Sequence, residues 1–111
     1  MSSTSNIPEK GDIVTIELLQ SGQAKVYTLV VLSPFIYNSK ARAIVGCAIV
    51  AEAKGNPFEV VIPKGTGVEG VILSDHLHHV ELPVSRMDIR CSLPYEVMEE
   101  TVKKAGILLE L

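Results

Sequence analysis

The densest run of titratable side chains is Asp75-His76-Leu77-His78-His79. On a regular strand His76 and His78 share one face, while Leu77 and His79 point to the other. Histidine changes charge near neutral pH, so a pair on one face suits acid–base work on a 2′-hydroxyl. Two histidines so placed could also share a metal, but the sequence offers no evident third ligand, and neither metal nor cofactor is expected. The plainer alternative is a set of solvated imidazoles on a sheet face. Two other signatures fail on inspection. Lys64-Gly65-Thr66-Gly67 has its lysine ahead of the glycine and lies between strands, so it reads as a turn and not as a phosphate loop. No serine stands in a nucleophile-elbow sequence, which leaves a hydrolase triad unsupported.

The charges outside that run are unevenly spread. Net charge is −3, which argues against general, salt-driven affinity for nucleic acid. Yet no carboxylate falls between Glu17 and Glu52, where Lys25, Lys40 and Arg42 lie, and the acids gather near the C-terminus. A locally basic loop surface is one reading, and scattered solvated cations are the other.

The elements that must position these residues follow from the apolar pattern. A chain of 111 residues with 47% hydrophobic content makes one domain with a real core, here expected over residues 8–111 behind a disordered lead of residues 1–7. The lead lacks the basic and apolar regions of a signal peptide, and no apolar run reaches membrane-spanning length. Cys47 and Cys91 are too few for a disulfide framework or a zinc site, so a reducing, cytoplasmic setting is expected.

Alternation and β-branched content predict strands over Asp12 to Leu19, Lys25 to Ser33, Ala43 to Ala53, Phe58 to Ile62, Glu69 to Leu73 and Ser74 to Leu82, with a short seventh from Met87 to Cys91. Phe35 to Arg42 reads as a loop after Pro34. The C-terminus then changes period: Met98, Val102, Ala105 and Leu109 recur at helical spacing, and Pro94 suits a first turn. Close-set strands followed by one amphipathic helix describe a mainly β fold, a small barrel or half-barrel capped by that helix.

Several blocks, in order, resemble the MazF/PemK toxins of toxin–antitoxin modules. They are Gly11-Asp12 at the opening, Val30-Val31-Leu32-Ser33-Pro34-Phe35-Ile36-Tyr37-Asn38, Lys54-Gly55-Asn56-Pro57-Phe58-Glu59-Val60-Val61, Gly70-Val71-Ile72-Leu73-Ser74-Asp75-His76, and Leu93-Pro94 before the helix. Together they span roughly Pro8 to Leu109. The resemblance implies an SH3-like barrel of the MazF/PemK/CcdB type and a homodimer. It also implies metal-free cleavage of single-stranded RNA, and an antitoxin peptide that occupies the RNA groove. Lys25, Lys40, Arg42, Lys54 and Arg86 are the cations to expect along such a groove.

The departures matter as much. The family's Arg-Pro before the Val-Val-Leu-Ser strand is Tyr27-Thr28 here, and its catalytic threonine is Val50. The usual Asp-Gln is Asp75-His76, and the loop before Tyr27 is short. Charge that builds on phosphoryl oxygens during attack needs a cation and a hydroxyl donor, and losing one such group costs about a hundred- to a thousandfold in rate. Tyr27 is uncharged and Val50 donates nothing. The sequence thus predicts a family member with a disabled ribonuclease site that keeps its dimer and groove. One alternative is an active enzyme in which Tyr27, His76, His78 and Arg86 take over; the other is a transcriptional modulator within a toxin–antitoxin-like complex.

Overall fold

A computed structural model describes residues 7–109, so all of the expected lead except Ile7 lies outside the described residues. The order is β1 (Asp12–Gln20), β2 (Gln23–Val31), α1 (Phe35–Ala41), β3 (Ala43–Val50), β4 (Glu59–Val61), β5 (Val71–Glu81), β6 (Arg86–Ser92) and α2 (Tyr95–Leu108). The strands form one antiparallel sheet in the order β4-β5-β3-β2-β1-β6.

Alternation along the strands sorts their side chains onto two faces. Ile13 and Val30 belong to a cluster with Cys47, Ile72, Leu93 and Met98, which packs under α2. Their neighbours Val14, Leu29 and Val31 belong to a second cluster with Ile16, Ile44 and Val80, backed by Leu82, Val84 and Met87. Both faces are therefore apolar in the middle, which is why the runs at Leu29–Val31 and Ala43–Val50 are nearly continuous.

β1 and β2 stay paired to their tip, with Gln20 opposite Gln23. The turn between them is Ser21-Gly22, both with positive φ (52° and 78°). Two left-handed residues match the twist of the flanking strands and make the tightest hairpin connection. No loop is left over at that end.

Four expectations need correction. Phe35 to Arg42 is not a loop: Phe35–Ala41 is helical, with Asn38 N–H donating to Pro34 C=O. Its inward residue is the fully buried Asn38, whose amide donates to the C=O groups of Pro8 and Ser33 while its Oδ1 accepts from Ser33 Oγ. A helix that is held by a polar plug carries no apolar stripe. Second, Glu69 to Leu73 and Ser74 to Leu82 do not make two strands. β5 is one strand whose register against β3 jumps from Leu73↔Ala48 to Leu77↔Cys47, so Ser74, Asp75 and His76 bulge out of the ladder. Third, the described strands consequently number six.

The fourth concerns α2. Met98 and Ala105 are buried as expected, but Leu109 is 58% exposed, and the fully buried position between them is Thr101, whose Oγ1 donates to Val97 C=O. The core-facing stripe therefore ends at Ala105. Met98→Ala is expected to lower the unfolding free energy by about 2–5 kcal/mol, because the cavity it leaves lies between the helix and the sheet. Leu109→Ala should stay within about 0.5 kcal/mol, as surface substitutions do. Urea titration of both variants checks the pair.

Among the described residues no helix is long and apolar enough to cross a membrane.

Candidate functional site

The sheet opens at one end. β2 and β3 pair only from Val31↔Gly46 to Leu29↔Ala48. Beyond that point β2 stays with β1, as Ile16↔Tyr27 shows, and β3 stays with β5, as Val50↔Val71 shows. The two strands part, and the mouth between them is a cleft of about 540 Å³. Its walls come from the second apolar cluster, with Ile16, Leu18, Leu29 and Val80 among them. Its polar side chains are Gln20, Tyr27, Thr28, His78 and His79.

Tyr27 and Val50 both line this cleft, each two positions past the last β2–β3 pair. Tyr27 donates its hydroxyl to Gln20 Oε1 at 3.2 Å. Val50 is half-buried and offers no polar atom. Behind it, Gly70 approaches so closely that a Cβ there would sit 2.5 Å from the Val50 carbonyl oxygen.

The histidines divide differently from the regular-strand expectation. His78 and His79 both line the cleft, whereas His76 does not. The bulge at Ser74 to His76 takes His76 out of the ladder and leaves its Nε2 4.0 Å from Asp75 Oδ1; the register resumes at Leu77↔Cys47 and runs unbroken to Val80↔Ile44, so alternation still sets the side chains of His78 and His79 on opposite faces. Among the described residues, no group of three or more His, Cys, Asp or Glu is placed to hold a metal ion.

The five cations do not gather at the cleft. Lys25 is exposed near the hairpin tip opposite Leu18, and Lys40 is exposed on α1. Lys54 lies in the β3–β4 turn, where its backbone N–H donates to the Glu59 carboxylate at 2.9 Å. Arg42 and Arg86 do come together, at a separate cleft of about 570 Å³ beside Leu82 to Met87. Arg86 is paired there with Asp88 at 3.3 Å on the exposed edge strand.

Of the two free cysteines, Cys47 is unavailable as a nucleophile. Cys47 is fully buried between β3 and β5, and burial, with a smaller contribution from the Asp75 carboxylate, pushes its thiol up to about 12. At neutral pH it stays a thiol, donating to Ser74 C=O. Chemically, the cleft offers the Tyr27 phenol, the His78 imidazole and an apolar wall, and no lysine or arginine lines it to meet developing negative charge.

No family model matches the chain. The endoribonuclease toxin MazF of Escherichia coli (strain K12) is 35% identical over 77 residues, covering 67% of this chain and 68% of that protein. Among solved structures, a MazE–MazF assembly from Deinococcus radiodurans matches with a TM-score of 0.87 at 33% identity, over 95% of this chain and 97% of that one. MazF of the same organism gives 0.83 at 31% identity, over 95% and 98%. A mycobacterial endoribonuclease with its cognate antitoxin has a TM-score of 0.75 at 16% identity, over 94% and 96%, a likeness of fold alone.

Proposed function

The chain belongs to the MazF/PemK toxin family, and from that premise we propose that it is a non-cutting member, a binding module with a disabled endoribonuclease site. The observation that carries this is the cleft where β2 and β3 part: the two positions that the resemblance gives to the catalytic arginine and threonine fall there together, as Tyr27 and Val50. Neither supplies a cation, and Val50 supplies no hydrogen bond. A transition state with charge on its phosphoryl oxygens would find no preorganised partner for that charge.

The same reading makes the chain a cytoplasmic homodimer whose cleft takes an extended peptide from an antitoxin. Support comes from the MazE–MazF assembly among its relatives and from the apolar cleft walls. Binding of single-stranded RNA is the weaker candidate, because base and phosphate recognition rely on stacked aromatics and fixed cations. Tyr27 is the one aromatic residue that lines the cleft.

Incubation with a long, mixed-sequence RNA in the absence of metal tests the proposal. The wild-type protein is expected to leave it intact, and expression of the chain alone should not arrest growth. Discrete cuts ending in a 2′,3′-cyclic phosphate would replace this reading with one in which Tyr27 and His78 do the chemistry.

A further inference from the structure

β5 and β6 are separated in the sheet by β3, β2 and β1, so the chain between them has to cross one face of it. It does so with Leu82, Val84 and Met87 packed against the second apolar cluster. Those three residues also line the cleft of about 570 Å³ that Arg42 and Arg86 share, a size common among small-ligand sites. Its inventory is narrow. Beside the aliphatic floor and the two arginines, Ser85 supplies a hydroxyl, and among the described residues no carboxylate, aromatic ring or side-chain amide lines it.

Arg42 caps α1 with φ 55° and ψ 48°, the left-handed conformation in which a Cβ crowds the next carbonyl and which glycine usually takes at a helix end. A residue held there against its backbone preference points to a use for its side chain. That use is not an internal ion pair: the ion pairs among the described residues are His76–Asp75, Arg86–Asp88 and Lys104–Glu100. A cation does suit the C-terminal end of a helix, but Lys40 in the last turn of α1 already fills that role. Arg86 pairs with Asp88 through Nε at 3.3 Å, which leaves its terminal nitrogens, the end that grips an oxyanion in bidentate fashion. Asp88 itself lines the neighbouring hollow with Thr15 and Glu17, and not this cleft.

We propose that this cleft binds a small amphiphilic anion of the fatty-acid class, its carboxylate held between Arg42 and Arg86 and its chain laid along Leu82, Val84 and Met87. The planar guanidinium matches a carboxylate in shape and charge, and a hydrocarbon chain removes the floor from water. A nucleotide would find no ring to stack its base on and no amide to read its edge. A bilayer needs apolar side chains that stand proud of the surface, whereas Leu82, Val84 and Met87 are half-buried. The site is separate from the cleft of Tyr27 and Val50, and stands whether or not that one cuts RNA.

Isothermal titration of the full-length protein with octanoate, butyrate, 1-octanol and inorganic phosphate tests this, with amide chemical shifts to locate the ligand. Octanoate is expected to bind at least about tenfold more tightly than 1-octanol, which lacks the head, or butyrate and phosphate, which lack the chain. The shifts should centre on Arg42 and on Leu82 to Met87. R42G and R86Q should each weaken octanoate at least about tenfold. R90Q, on the same exposed strand but outside the cleft, should keep the wild-type affinity. R42G also separates binding from folding: glycine suits that backbone, so its unfolding midpoint should hold or rise while its affinity falls. A midpoint that drops would make Arg42 a structural residue and overturn the argument for the site. So would octanoate bound no better than 1-octanol or phosphate, wild-type affinity in R42G or R86Q, or shifts elsewhere on the protein. Tighter binding to phosphatidylglycerol vesicles than to octanoate, or to a mixed-sequence RNA decamer in a manner that needs both arginines, would overturn the choice of ligand.

Discussion

Tyr27→Arg combined with Val50→Thr should give the protein metal-independent cleavage of single-stranded RNA, at a rate at least about a hundredfold above the wild-type background. Each substitution places in the cleft one of the two groups that the proposed reading finds missing: a guanidinium that can meet two phosphoryl oxygens at once, and a hydroxyl that can donate to one. Threonine has nearly the shape of valine, so the half-buried position 50 accepts it with little repacking. Tyr27 is 36% exposed and its hydroxyl bonds only to Gln20, so an arginine there has room to reach the mouth of the cleft. Either change alone should do much less, because groups that act on one transition state are strongly non-additive. Recovery should also fall well short of the about ten-thousand- to millionfold that two such groups can supply together, because the hairpin beside Tyr27 is only a two-residue turn. It contributes no loop to fold over a substrate or hold its phosphate in line. The measurement is single-turnover cleavage of a defined RNA by the wild type, both single variants and the double variant, with unfolding midpoints alongside. A folded double variant no faster than the wild type would mean that the geometry of the cleft, and not the identity of two residues, disables the site.

That result bears on what could be read from the chain by itself. The strands β1, β2, β3 and β6 were legible because β-branched residues and alternation are written directly in the sequence, and α2 was legible through Met98, Val102 and Ala105. α1 was not, because a seven-residue helix pinned by Asn38 has no apolar period to detect. Leu109 followed the period, but the helix had already run past the sheet, and periodicity cannot say where the partner surface ends. The polar Thr101 can be buried because its hydroxyl is satisfied within its own helix, a local bond that no hydropathy pattern records.

The sequence named candidate residues but could not give their arrangement. Resemblance put Tyr27 and Val50 at linked positions, and the parting of β2 and β3 puts both on one cleft. Nothing in the local sequence marks that parting, which depends on which neighbour each strand keeps. The histidines show the same limit more sharply. A period of two places His76 with His78, and a three-residue bulge undoes it, taking His76 out of the ladder while His78 stays at the cleft. Of the five cations, Lys25, Lys40 and Arg42 cluster in the sequence between Glu17 and Glu52, yet none of the five lines the cleft, because nearness along the chain does not make a shared surface when the strands run antiparallel.

Gly70→Ala should destabilise the protein by at least about 3 kcal/mol, more than any other single glycine-to-alanine change in the turns around the cleft. Two costs add at this position. Gly70 has φ of 139°, a region that residues with a Cβ rarely enter, and forcing alanine there costs of order 1–3 kcal/mol. The new Cβ would also stand 2.5 Å from the Val50 carbonyl oxygen and 3.2 Å from Ile49 Cγ2. Backbone cannot yield as a side-chain tip can, so the end of β3 must move away from the start of β5. The Ile62 N–H donates to Gly70 C=O at 3.0 Å, so the displacement is carried into the segment after β4 as well. Gly55→Ala and Gly65→Ala separate the two terms. Both glycines have positive φ, 91° and 95°, but a Cβ on either meets nothing within 4 Å. Those variants should lose about 1 kcal/mol from backbone strain alone. Equal losses at all three positions would show that the contact with Val50 relaxes freely. A larger loss at Gly70, with weakened peptide binding in whatever fraction stays folded, would show that this glycine sets the end of β3 and hence where Val50 stands in the cleft.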